Sequence, residues 1–232
     1  MKNPAETFAI YRLKYNPLYE LNRGMHLEIV RSGKSTHGHG QDHDLTVAQY
    51  GALIAPDEHD GELAWVAGLL HSMDRHFPEA EAHYMIERGL DLAFKCGLST
   101  EDIEQVRVAV ANHSKKNDDA DGPVTVIIKD ADRLANLGAI NIIRGGQHRP
   151  NIPACIPETL GGLHPESTFK NPKSCYDATY YNSEWEAMLR LPEAKRLGDR
   201  YFRFIEQWRE LAVSQAAEVG LYPWPEEVTE SA

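Results

Sequence analysis

Basic residues are in deficit: 24 Lys and Arg stand against 35 Asp and Glu in 232 residues, a formal charge of −11. Gripping duplex nucleic acid through its phosphates takes a basic stripe, so this balance excludes such a surface. Any nucleotide partner has to be a small one in a local pocket. Cysteine is scarce as well. Cys96, Cys155 and Cys175 are odd in number, widely spaced and free of any CxxC, which argues against a disulfide framework or a zinc ribbon and leaves buried reduced thiols as the expectation. Long apolar runs are missing too: no stretch approaches the roughly 18 residues a membrane helix needs. The opening MKNPAETFAIYRLKYNPLYE has no apolar signal core. These absences predict a cytoplasmic protein with no membrane partner.

What is present is an ordinary folding composition, 42% hydrophobic and 25% charged, in a chain long enough to bury a full core. One domain with an elaborated C-terminal part is expected. Most of the first 140 residues read as helices. QDHDLTVAQYGALIA places His43, Val47, Tyr50 and Ile54 on one helical face, and DGELAWVAGLLHSMD does the same for Leu63, Val66 and Leu70, with Asp60 as the expected cap. EAEAHYMIERGLDLAFKCG ends at Gly97, and STEDIEQVRVAVANH opens on an N-cap and an acidic first turn. TVIIKDADRLANLGAINIIR begins with β-branched residues yet keeps helical spacing through Ile127, Asp130, Leu134 and Leu137, so it is read as helix. From Gly145 to about Tyr181 the texture is Gly, Pro, Ser and Asn without a period, which predicts a long functional or mobile loop. Helix resumes from about residue 182 to 220, with Pro192 placed to start a final long one.

The 11 histidines are not scattered. His37, His39 and His43 crowd into THGHGQDHD, His71 follows two leucines, His113 ends a helix, and Asp130 and Asp132 lie in KDADRL. Histidines and carboxylates on different helices of one bundle are the ingredients of a divalent metal site. Each residue alone also has an ordinary structural reading: a polar helix start for His43, a buried histidine bonded to backbone for His71, a dipole-favoured helix end for His113, and caps or ion-pair partners of Arg133 for the two aspartates.

Taken in order, HGQDHDLTV, AGLLHS, VANHSKK and IKDADRLANLGA resemble the HD-domain superfamily of metal-dependent phosphohydrolases, over about residues 35 to 145. Weaker similarity in GAINIIR and PEAKRLGDRYFRF points to its bacterial nucleotide pyrophosphohydrolase-like group. The resemblance implies an all-α HD helical bundle with a long irregular loop and C-terminal helices. It implies His43 and His71 as metal ligands together with Asp132, or Asp130 if the register slips by two. His39 and His113 match histidines near the site, the latter a second-metal ligand in some members and a phosphate neighbour in others. Ser72 departs from the pattern, standing where the family carries the aspartate that binds the metal and sets the attacking water. Asp74 is the candidate substitute, since three helical positions bring it within about 60° of His71.

The implied chemistry is hydrolysis of a small phosphorylated substrate, a nucleotide by preference, with Mn, Mg, Co, Fe or Zn as the divalent ion. Asp74, His113, Lys116 and Arg133 are the candidate catalytic groups; His39, Ser72, Lys115 and Arg144 are the candidates for binding substrate. Two other readings stand beside it. Ser72 favours an HD-fold binder without turnover, and His83 could supply a further ligand for an iron oxygenase of this superfold. The sequence leaves open which substrate and metal are used, and whether the chain forms a homodimer.

Overall fold

The computed structural model describes residues 3–224, and these are helical with no strand among them. In chain order the helices are α1 (Pro4–Lys14), α2 (Asn16–Arg31), α3 (Gln41–Ile54), α4 (Glu58–Leu70), α5 (Met73–His76), α6 (Glu79–Lys95) and α7 (Thr100–Asn112). After them come α8 (Pro123–Ala135), α9 (Gly138–His148), α10 (Cys175–Ser183) and α11 (Pro192–Glu218). None is long and apolar enough to cross a membrane.

The chain divides into two compact units. One takes the residues up to Ala135 together with Met188–Leu197; the other takes Asn136–Ala187 and the chain from Gly198 onward. In the first unit α4 is the central helix, packed by α3, α7 and α8. Its sequence explains the position: Ala64 to Leu70 is apolar on every side, so the helix is buried all round rather than on the single face its spacing predicts. Burial of Leu63, Val66, Leu69 and Leu70 contributes roughly 1.5–3 kcal/mol each. That is enough to hold polar groups at the end of this helix in a dry setting.

The α3–α4 contact is a seam of small residues. A Cβ added at Gly68 would lie 2.5 Å from the Ala48 backbone N and Cα, and one at Gly51 would lie 3.0 Å from the Ala64 Cβ. The two backbones therefore meet closely just before α4 ends and α5 begins.

The structure redraws four sequence-level boundaries. The cap of α4 is Asp57, whose carboxylate accepts from the Asp60 amide; Asp60 sits inside the first turn, because Asp57 is the residue with the extended backbone a cap needs. α4 stops at Leu70 rather than running on through SMD. The segment from Thr125 to Arg144 is two helices, broken where Gly138 takes a positive φ of 71° that a side chain would resist. The long loop is shorter than its composition predicts, since α9 runs through Gly145 and Gly146 and the Ser174 hydroxyl caps α10.

In the second unit, Tyr201 packs against Gly138 and Arg209 stacks 4.3 Å from the Tyr180 ring.

Candidate metal centre

Three helices of the first unit bring one side chain each to a common point. His43 lies in the first turn of α3, His71 is the residue that closes α4, and Asp132 is on α8. His43 Nε2 is 3.2 Å from His71 Nε2 and 3.3 Å from an Asp132 carboxylate oxygen, and His71 Nε2 is 3.9 Å from the same oxygen. All three atoms lie within 4.8 Å of one another.

These spacings fit an ion. Ligands each at roughly 2.0–2.2 Å from one cation stand about 3.0–3.4 Å apart in tetrahedral or octahedral geometry, and only the His71–Asp132 edge exceeds that, by about half an ångström. The donor chemistry fits as well. The Gly68 carbonyl can only accept, so at 2.7 Å it takes the His71 Nδ1 proton and leaves a bare lone pair on Nε2 in the neutral ring. Burial holds His71 below the ordinary imidazole value, which keeps the ring neutral and able to ligate. Burial opposes ionisation of Asp132, but its bond with His43 and the fields of His71, His43 and His113 overcome that and hold the carboxyl well below the usual range. Asp132 is the open member of the set, with 24% of its side chain exposed, so the site is reached from its side.

The remaining sequence candidates fall in different places. His113 packs its ring edge-on to His71 at 5.2 Å, with Nδ1 donating to the Val110 carbonyl. His39 sets its ring against His43 at 5.3 Å, and its carbonyl accepts from His76 Nε2. Ser72 is 1% exposed, and its hydroxyl has no hydrogen-bond partner among the described residues. Asp74 is half exposed on α5 and 3.7 Å from Arg75; because the chain turns between α4 and α5, the helical angle from His71 does not apply, and Asp74 is not in the cluster.

Asp130 is also outside the cluster. Its carboxylate accepts from the backbone amides of Arg190 and Leu191, both at 2.8 Å, just before α11, and burial pushes its carboxyl up. Arg133 is anchored by Asn117, the Met188 carbonyl and Asp130. Lys115 donates to Asn112 on an exposed surface, while the Lys116 carbonyl accepts from buried Lys129. Arg144 belongs to the second unit, where it donates to Asn136. His83 is exposed on α6, outside the cluster.

Sequence reasoning missed Asp44. In DHD it reads as an acidic residue favoured by a helix N-terminus, yet it is fully buried, held by Asn22 and His26 of α2. No periodicity in α2 announces two polar residues turned inward.

Residues 40–137 match the family model for the HD domain. No curated protein matches the chain. Among solved structures, a Lactobacillus plantarum protein is 18% identical with a TM-score of 0.65, covering 87% of this chain and 97% of its own. An HD-superfamily hydrolase from Bacillus thuringiensis is 18% identical, with a TM-score of 0.62 and coverage of 88% and 98%. Bacillus subtilis YpgQ in complex with ADP is 17% identical, with a TM-score of 0.58 and coverage of 88% and 99%. At these identities the likeness is one of fold.

Proposed function

From the match of residues 40–137 to the HD-domain model, we propose that the chain is a member of the HD-domain superfamily and a metal-dependent phosphohydrolase acting on a small phosphorylated substrate, a nucleotide by preference. The observation that carries this reading is the convergence of His43, His71 and Asp132 at ligand spacing. The nucleotide preference is supported by YpgQ, whose structure holds ADP.

In this reading His43, His71 and Asp132 hold the cation, and their two imidazoles favour a transition metal over Mg²⁺. A bound cation would lower the pKa of a water and neutralise phosphoryl oxygens. The chain's own groups do the rest. The bond from His71 Nδ1 to Gly68 fixes the ring so that Nε2 faces the site, and Asp132 stays ionised on the open side. His113 borders the site through its ring contact with His71, and His39 through its contact with His43. Lys115, Lys116 and Arg133 are the proposed phosphate partners; Arg133, adjacent to Asp132 on α8, is the one whose guanidinium is already fixed in place. Asp74, whose charge is felt at His113, remains a proposed proton-handling group.

A second reading rests on Ser72, whose neutral hydroxyl stands beside His71: the protein binds nucleotide without turnover. One panel separates the two. Protein purified without chelator is given nucleoside mono-, di- and triphosphates with Mn²⁺ or Co²⁺, and phosphate and pyrophosphate are measured. The hydrolase reading expects release that EDTA and His71→Ala both abolish. Bound metal and bound nucleotide with no release would favour the binder.

A further inference from the structure

Asp44 is a buried ionisable group of the first unit, and no role in holding a cation or a substrate has been given to it. Its side chain is fully buried. One oxygen, Oδ2, accepts from Asn22 Nδ2 at 2.7 Å and from His26 Nε2 at 2.8 Å. The other, Oδ1, has no hydrogen-bond partner among the described residues and lies 3.8 Å from His71 Nδ1. Asn22 does more than hold the carboxylate: its amide also donates to the Leu69 carbonyl at 2.9 Å, two residues before His71. A side chain of α2 thus ties the start of α3 to the end of α4, at the place where both imidazole ligands are attached.

A buried carboxylate is costly unless its charge is used, and two donors satisfy only one of its oxygens. Its free oxygen faces the edge of the His71 ring opposite Nε2. A negative charge at that edge favours a proton on Nδ1 and raises the electron-donating power of Nε2, as outer carboxylates do for histidine ligands. Around a divalent cation, two neutral imidazoles and Asp132 leave one positive charge unbalanced, and Ser72 adds nothing to offset it. We propose that Asp44 is a positioning residue of the metal centre, which through Asn22 ties the start of α3 to the end of α4 and supplies, from behind His71 and outside the ligand set, the second negative charge that a ligand at position 72 does not. This inference rests on the metal reading proposed above.

The test is Co²⁺ binding to the full chain, followed by calorimetry and by the visible spectrum of the bound ion, for wild type, Asp44→Asn and Asn22→Ala. Asp44→Asn keeps the shape and removes the charge; Asn22→Ala breaks the same network and keeps the charge. Asp44→Asn is expected to weaken Co²⁺ binding about 10- to 100-fold, and Asn22→Ala several-fold less at a comparable loss of melting temperature. Equal losses in the two variants, or unchanged affinity in Asp44→Asn, would overturn the proposal. Should Asp44→Asn fail to fold, the wild type still decides: the side-chain ¹³C shift of Asp44 in the Zn²⁺-bound protein must show an ionised carboxylate, and a protonated Asp44 would overturn the proposal. A wild type that binds no Co²⁺ at all would instead sink the metal reading itself.

Discussion

Ser72 and Asp74 are separated by one residue and have opposite environments. Ser72 is buried beside His71 with an unpartnered hydroxyl, while Asp74 is half exposed and paired with Arg75. A carboxylate at position 72 would sit against the site, so Ser72→Asp is expected to tighten Mn²⁺ binding by about tenfold or more and to raise phosphate release. Asp74→Ala is expected to change metal affinity by less than about twofold, as for an exposed ion pair. Calorimetric titration of both variants checks this, and an Asp74→Ala protein that loses its metal would make Asp74 the substitute ligand after all. The histidines give a prediction in pH. His71, His76 and His113 are all held below the ordinary imidazole value, first by burial. For a lowered value the unfolded chain takes up protons first, so stability is full above about pH 6.5 and is lost as pH falls through that value towards the depressed ones. The urea midpoint of EDTA-treated protein should therefore drop between about pH 7 and 5. A flat midpoint would mean that the rings are charged in the folded protein.

At the scale of elements, the site depends on how closely α3 approaches α4. Gly68 permits that approach, and any Cβ there would meet backbone atoms of Ala48, which cannot move aside as a side-chain tip can. Gly68→Ala should cost on the order of 1–3 kcal/mol by overpacking and weaken metal binding, because the displaced turn carries His71. Gly24 on α2 is the contrast: a Cβ there meets nothing within 4 Å. Gly24→Ala should stabilise by about 0.5–1 kcal/mol through helix propensity alone. Urea denaturation of the two variants should give shifts of opposite sign. A tolerated Gly68→Ala would mean that the seam is looser than described.

For the whole molecule, the first unit is not one stretch of chain. Met188–Leu197 joins it because Asp130 accepts the amides of Arg190 and Leu191, Arg190 pairs with Asp121 at 2.9 Å, and Arg133 reaches the Met188 carbonyl. Asp121 is itself held by buried Lys129, whose ammonium donates to both carboxylate oxygens at 2.8 Å. All three cluster residues lie in this unit, on α3, α8 and the end of α4. Metal should then stabilise it by linkage, by about 2.7 kcal/mol when free metal is 100 times the dissociation constant. Differential scanning calorimetry with and without Mn²⁺ should show a transition that rises with metal concentration. Bound metal without any shift would place the ion elsewhere.

The sequence by itself determined the helical class, because the apolar spacing in α3 and α4 is a local pattern that needs no partner to be read; His43 and His71 are marked by the motif resemblance rather than by their spacing. It could not choose between Asp130 and Asp132. Two positions on a helix point about 200° apart, and which direction faces the histidines is set by what packs on each side of α8. The tertiary structure sent Asp130 to the amides before α11 and Asp132 to the histidines. It also turned Asp44 inward, onto two polar residues of α2 that nothing in their spacing marks, and it ended α4 one residue before His71. Helix periodicity is written within a few turns of chain. The surroundings of a carboxylate are made by segments distant in sequence, and those arise only when the helices pack.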